Sequence, residues 1–247
     1  MSQTGIIGII GGSGFYNMAG ISDVREVEVE TPFGKPSDPV RLGKLGGRDV
    51  AFIARHGRGH RYNPTNVPAR ANIFALKTLG VTHLISVSAV GSMKEEIEPL
   101  HMVVPNQLFD RTVHRGGTYI CIEGPQFSTQ AESIIYRGWG ISVIGMTALP
   151  EARLAREAEM CYATLAMTTD YDTWHPDHDS VTVDLVVSNL NKNVQRAKDT
   201  VAALVPAIAS TRTCTCDQAL ASSIMTTADL IPDDVKKRLE PLIGKYI

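Results

Sequence analysis

The chain has four cysteines in 247 residues, too few for a disulfide framework at this length. Neither charge dominates: 24 Lys and Arg stand against 26 Asp and Glu, a net charge of −2. That balance offers no positive field to a phosphate backbone and argues against a nucleic-acid partner, while a local basic pocket for a small anion stays open. No apolar run approaches the ~18 residues that a membrane span needs. Met1-Ser2-Gln3-Thr4 lacks the basic start and cleavage site of a signal peptide. Repeats, low-complexity linkers and charge blocks are missing as well. The expectation is a cytoplasmic protein with neither membrane nor nucleic acid as partner.

What is present is ordinary globular material, 43% hydrophobic and 20% charged. Cys121 and Cys161 stand alone in apolar stretches and read as small buried hydrophobes. Cys214 and Cys216 flank Thr215 and read as two free thiols, because a disulfide there would close a strained ring.

Short β-type runs alternate with helix-type segments, the pattern of an α/β fold. Strands are expected at Ile6–Ile10, Val24–Glu30, Val50–Ala54, His83–Ser88, Met102–Pro105, Tyr119–Ile122, Ser142–Met146 and Tyr162–Thr168. The best helix runs from about Val183 to Leu204, where Val186, Leu190, Val194, Ala197, Val201 and Leu204 share one face. A second spans about Val67–Leu79, with Asn66 as N-cap and Gly80 after its end. Two more are expected at Thr129–Gly138 and Glu151–Glu159. One domain over 1–210 is expected, followed by a polar tail, 211–247, whose short helix near Pro232–Leu242 docks on the body.

Three loops carry candidate chemistry. The first strand ends in Gly11-Gly12-Ser13-Gly14, a sequence that suits a structural turn or an anion nest. A dinucleotide site would need a third glycine, and Phe15, Tyr16 and Asn17 follow instead. Arg55-His56-Gly57-Arg58-Gly59-His60 reads as a flexible basic loop at a strand end, either solvated or binding an anion. The spacing of His56 and His60 also resembles a helical metal pair, but Gly57 and Gly59 argue against a helix and no Cys or Glu complements them, so no metal is expected. Asp170 and Asp172 close another apolar strand, and period-two alternation puts both on one side with Tyr171 opposite. Paired carboxylates in a partly apolar site push their pKa values apart and can read a flat heterocycle; in a surface turn they would simply be solvated.

Taken together, these loops resemble the trimeric purine nucleoside phosphorylase family. The matching stretches are Ile7–Phe15, Thr31–Asp38, Ala54–His60, Ala71–Gly80, Ser88–Gly91, Ile122–Ser133, Met146–Pro150 and Thr168–Trp174. The resemblance implies a single-domain three-layer α/β fold, a mixed central β-sheet flanked by helices. It implies phosphorolysis of a 5′-methylthio nucleoside to adenine and a pentose 1-phosphate, with phosphate as co-substrate and no cofactor. By resemblance Ser13, Arg55, His56, Ser88 and Thr147 hold phosphate, and Ala89, Val90 and Phe127 line the purine. Met146 backs the ribose, Asp170 and Asp172 face the base edge, and Val183, Val186 and His60 surround the methylthio group. The resemblance further implies a homotrimer with sites at subunit interfaces. It also implies a missing segment: relatives carry several dozen residues, including a helix and a histidine that reaches the neighbouring subunit, where only Val113–Cys121 stands here, with the junction at Arg115–Gly116. A truly shortened chain leaves open a catalytically inert nucleoside- or anion-binding relative, or an enzyme with a different 5′ or base preference.

Overall fold

The computed structural model describes residues 5–18, 20–109, 117–176 and 183–247; the Arg115–Gly116 junction lies outside them. In β1 (Ile6–Gly11), Ile7 and Ile9 point to one face of the sheet and Ile10 to the other. The neighbouring β4 (Arg48–Ala54) alternates in the same way, Val50 and Phe52 against Ala51 and Ile53. Strands apolar on both faces need a helical layer on each side. One layer is α4 (Val183–Ala207), whose Leu190, Ala197, Val201 and Val205 cover Ile7, Ile9, Val50 and Phe52. The other is α1 (Ala69–Thr78) with α3 (Ala148–Glu157), packing Ile73, Leu76 and Ala155 over Ile10, Ala51 and Ile53.

The sheet is mixed, as the three-layer α/β expectation requires. Its path runs through β2 (Ser22–Val27), β3 (Val40–Leu45), β4, β1, β5 (Val81–Ser92), β9 (Val143–Gly145), β8 (Thr118–Cys121) and β7 (Gln107–Phe109). β10 (Cys161–Asp170) lies along the other side of β5 and also pairs with β6 (Met102–Val103). β5 therefore branches. It pairs with β1 up to Ser86 and with β9 from Gly91 onward, so residues 87–90 have no strand partner on that side. An opening of this kind at the carboxyl end of parallel strands is where α/β sheets bind ligands.

Several local expectations change. β3 and β7 are additional strands, and Gly43 within β3 had hidden its alternation. Asn66 does not cap α1: it belongs to a short 3-10 turn, Pro64–Asn66, capped by Asn63, and α1 starts behind Pro68. Thr129 does cap α2 (Gln130–Gly138), exchanging hydrogen bonds with Glu132 in a capping box. On α4 the buried face ends on Val205; Leu204 is 41% exposed. The tail carries α5 (Asp233–Ile243), with Leu242 against the cluster beneath α1. Among the described residues no helix is long and apolar enough to cross a membrane.

The end of α4 offers a direct check. Val205→Ala should lower the unfolding free energy by about 1–3 kcal/mol through lost transfer energy and a cavity. Leu204→Ala should stay within about 0.5 kcal/mol. Urea denaturation of both variants at one protein concentration measures the difference.

Candidate active site

The opening along β5 is the floor of a cleft of about 190 Å³. One end is built around Arg55, the residue that follows β4. Its guanidinium is 1% exposed and its donors are nearly all committed. Nε and Nη2 donate to the two oxygens of Glu151 at 2.9 and 3.0 Å, Nη2 donates to Ser86 Oγ at 2.7 Å, and Nη1 to the Val87 carbonyl at 2.9 Å. A guanidinium has five N–H groups, so one, on Nη1, is left for a ligand. Burial disfavours the cation, and Glu151 opposite more than offsets this, holding the pKa above its ordinary value. Only glycine fits at position 12: a Cβ there would stand 2.6 Å from the Val87 carbonyl oxygen and 2.8 Å from Arg55 Nη1. The glycine loop thus lies directly over the guanidinium, with Ser13 on the cleft wall.

Hydroxyls and one imidazole complete this end. Ser88 Oγ on β5 lies 3.1 Å from Thr147 Oγ1, and Thr147, although it precedes α3, spends no side-chain hydrogen bond on capping it. His56 is buried, with Nδ1 2.9 Å from the Tyr62 carbonyl oxygen. A carbonyl only accepts, so Nδ1 carries the hydrogen and Nε2 is left with its lone pair. Burial, and then Arg55 beside it, depress its pKa from 6.5 to about 4. The sequence suggested a flexible basic loop here; the structure instead buries Arg55, holds His56 neutral and turns Arg58 away onto Asp38 and Glu26. One cation, three hydroxyls and an imidazole lining one space can hold an anion.

The opposite end is acidic. Asp170 ends β10, buried, its Oδ2 accepting from Thr169 Oγ1 at 2.6 Å and its Oδ1 from the Asp172 amide at 2.8 Å. Burial raises its pKa, against these hydrogen bonds and with help from Asp172. Both carboxylates line the cleft, as the alternation argument required, but a turn rather than the pleat brings them together: β10 stops at Asp170, and Asp172 has φ +54°. Tyr171 is buried apart from them, its hydroxyl donating to the Glu95 carbonyl at 3.1 Å. Asp172 accepts from Ser128 at 2.9 and 3.1 Å and from Ser133 at 2.6 Å. Gly91 makes room for the pair, since a Cβ there would meet Asp170 Oδ1 at 2.9 Å.

Between the ends the walls are mostly apolar: Ala89, Val90, Phe127, Ile144 and Met146, with Val186 and His60 at the mouth. The His60 ring stacks on His56 at 4.4 Å, and its Nδ1 lies 2.7 Å from the Tyr16 hydroxyl. Every site residue expected from the sequence lines this cleft except Val183, which stands outside it, 67% exposed at the start of α4. Sequence reasoning missed Glu151, one residue beyond the Met146–Pro150 stretch. It also passed over Ser128 and Ser133, although both lie inside Ile122–Ser133. A buried arginine demands a counter-charge, but nothing local in the sequence says which carboxylate supplies it.

The His56 environment sets a pH dependence. With a folded pKa near 4 and an unfolded value of 6.5, the unfolded chain takes up a proton first. This contribution is fully present above pH 6.5 and is lost as pH falls toward 4. Denaturant unfolding at pH 7.5 and 5.0 should show the native chain losing about 1–2 kcal/mol more than His56→Gln. Equal losses would mean that His56 is not held neutral.

The phosphorylase superfamily profile matches residues 6–116 and 109–206, two pieces that overlap at 109–116. The S-methyl-5′-thioadenosine phosphorylase of Koribacter versatilis is 53% identical over 280 positions, covering 97% of this chain and 96% of the relative. Since 97% of 247 residues is about 240, about 40 of those 280 positions have no counterpart here. The enzyme of the same name from Geobacter sulfurreducens is 48% identical, covering 98% of this chain and 99% of its own. Among solved structures, a methylthioadenosine phosphorylase from an Antarctic soil metagenomic library superposes with TM-score 0.88 at 42% identity, over 96% of this chain and 98% of its own. A methylthioadenosine phosphorylase from Schistosoma mansoni in complex with adenine superposes with TM-score 0.80 at 31% identity, over 91% and 99%.

Proposed function

The chain belongs to the phosphorylase superfamily, and on that footing we propose that it cleaves S-methyl-5′-thioadenosine with phosphate, giving adenine and 5-methylthioribose 1-phosphate. It is a pentosyltransferase. The observation that carries this reading is one cleft with opposite chemistry at its two ends: a buried cation with hydroxyls at one, two carboxylates at the other. A phosphate dianion and a purine differ in just this way, and a sugar between them spans the apolar middle.

In this reading phosphate lies against Ser13, Arg55, His56, Ser88 and Thr147, and one of its oxygens attacks C1′. The C1′–N9 bond breaks as the sugar gains oxocarbenium character, and the bonding pair leaves with the purine. Asp170, its pKa raised by burial, delivers a proton to N7 of the departing base. Asp172, already accepting from Ser128 and Ser133, has capacity for one more donor, the 6-amino group. Ala89, Val90 and Phe127 flank the base and Met146 backs the ribose. Val186 and His60 bound the 5′ substituent, with Val183 outside the lining. Phosphate is consumed as co-substrate, and the scheme calls on no cofactor.

The assembly belongs to the same proposal. Phe127, Ile134, Ile135 and Trp139 are exposed around α2 beside the cleft, which supports a homotrimer with each site bordered by a neighbouring chain. The cellular setting proposed is cytoplasmic purine and methionine salvage, with no nucleic-acid or membrane partner. Adenine and the sugar phosphate should form in equal amounts and only when phosphate is added. Tight nucleoside binding with no turnover would leave a binding protein instead.

Two measurements probe the assigned roles. Asp170→Asn should lower kcat on methylthioadenosine by about 10²–10⁴-fold, the range of general-acid help. The same variant should gain on 6-oxopurine nucleosides, because an amide donates to N7 and accepts from N1–H. Full activity of the variant would move the acid role to Asp172. The apolar Val186 wall should make adenosine a poorer substrate than methylthioadenosine by about 10–200-fold in kcat/KM, since an apolar pocket rejects a hydroxyl only modestly. Equal kcat/KM values would remove Val186 from the 5′ pocket.

A further inference from the structure

Cys161 is the first residue of β10 and Asp170 the last, so a thiol at this end lies about 30 Å from that carboxylate at 3.3 Å per residue. The sequence had placed Cys161 alone. The fold brings it 3.4 Å, sulfur to sulfur, from Cys214, and the three sulfurs of Cys161, Cys214 and Cys216 lie within 4.8 Å of one another. We propose that these three cysteines form a trithiolate site for one thiophilic d10 cation, Cu(I) or Zn(II), at the junction of the tail with the sheet.

The geometry fits such an ion closely. Sulfurs bound to one ion at about 2.3 Å lie about 3.8–4.0 Å apart, so the present spacing closes on an ion by side-chain rotations of less than about 1 Å. All four cysteines of the chain are free thiols, and 3.4 Å is far beyond a disulfide bond of about 2.05 Å. Among the described residues no other group of three His, Cys, Asp or Glu side chains converges in this way. Donors that are all sulfur select soft ions over Mg²⁺ or Ca²⁺. Three thiolates complete the shell of Cu(I); Zn(II) would take a solvent molecule on the side of the exposed Cys214.

The two ligand-bearing segments are also held in place independently of any ion. Glu159, buried two residues before Cys161, gathers the tail on both sides of the Cys214–Cys216 pair. Its carbonyl accepts from Arg212 at 2.9 Å and its carboxylate from the Leu220 amide at 3.1 Å. Tyr246 and Lys245, near the end of the chain, reach the same carboxylate at 2.5 Å each. Cys216 opens the 3-10 turn Cys216–Gln218 between those anchors. A site whose supports are already fixed loses little entropy on binding, and an ion bound only by the folded chain stabilises it. The ion would join the tail to the start of the strand that carries Asp170, without entering the cleft.

Metal binding to the full chain, reduced with a thiol-free reductant, tests this without reference to turnover. Zn(II) and Cu(I), each titrated against a chromophoric chelator, form the two arms. At least one should bind with one equivalent per chain and raise Tm as its free concentration rises. Outer-shell changes alone typically weaken metal sites about 10–100-fold, so Cys161→Ser should weaken binding by at least that much. Cys121→Ser, which leaves the site intact, should not. Phosphorolysis should be the same for the native chain and Cys161→Ser. Failure of both ions to bind, or equal binding by native chain and Cys161→Ser, overturns the proposal. So does a chain purified without reductant or chelator that carries a Cys161–Cys214 disulfide and no metal.

Discussion

The ion pair between Arg55 and Glu151 ties the site together. Both side chains are almost wholly buried, and a buried pair is tolerable only where its remaining donors and acceptors are satisfied. Here all but one donor are: Ser86 and the Val87 carbonyl take two of the other three guanidinium N–H groups, and the Tyr162 hydroxyl donates to Glu151 at 3.0 Å. The end of β4, the branch of β5, the start of α3 and the first half of β10 thereby share one polar knot beneath the glycine loop. Removing either charge would strand the other in the interior, at a cost of about 3–5 kcal/mol. The knot also orients the guanidinium with a single N–H group to spare, so the residue that stabilises the interior is the same one that presents positive charge to the cleft.

A second constraint acts at the far end. β10 carries Asp170 beyond its last partner on β6, and α4 adds donors to its last carbonyls, of which that of Thr168 also accepts from the Leu100 amide at 2.8 Å. Asn189 donates to the Thr169 carbonyl at 2.7 Å and Asn193 to the Thr168 carbonyl at 2.8 Å. These asparagines, four apart on one helical face, interrupt an apolar stripe with side-chain donors for the end of the strand. One helix thus covers the core with Leu190, Ala197 and Val201, secures the strand end with Asn189 and Asn193, and lines the cleft with Val186. The acidic end is fixed by packing and hydrogen bonds drawn from β5, β10, α2 and α4.

The fold was legible where apolar residues repeat regularly. Ile7, Ile9 and Ile10 in β1, and the Leu190–Ala197–Val201 face of α4, state their structure in their spacing. Val205 did not, because the choice between it and Leu204 depends on how α4 crosses the sheet rather than on its period. β3 did not, because Gly43 interrupts its pattern. In the cleft, Ser13, Arg55, His56, Asp170 and Asp172 could be singled out because small, basic or acidic residues at strand ends are conspicuous against apolar runs, whereas Ser88 was implied only by the family resemblance. Glu151, Ser128 and Ser133 could not, since each matters only through a partner more than 35 residues away.

The sequence by itself therefore determined most of the strands and helices, the ends of strands on which chemistry would stand, and a near-even balance of charge. It did so because these properties depend on residues near one another in the chain. Only the tertiary structure decided that Arg55 is buried and paired, that His56 is neutral, and that a turn rather than a pleat brings Asp170 and Asp172 together. It alone decided that Val183 faces out while Val186 faces the cleft, and that Cys161 meets Cys214 and Cys216. Each of these depends on which distant group fills the space beside a side chain. Burial, charge pairing and convergence of ligands are properties of that space, and the space exists only once the sheet has closed between its two helical layers.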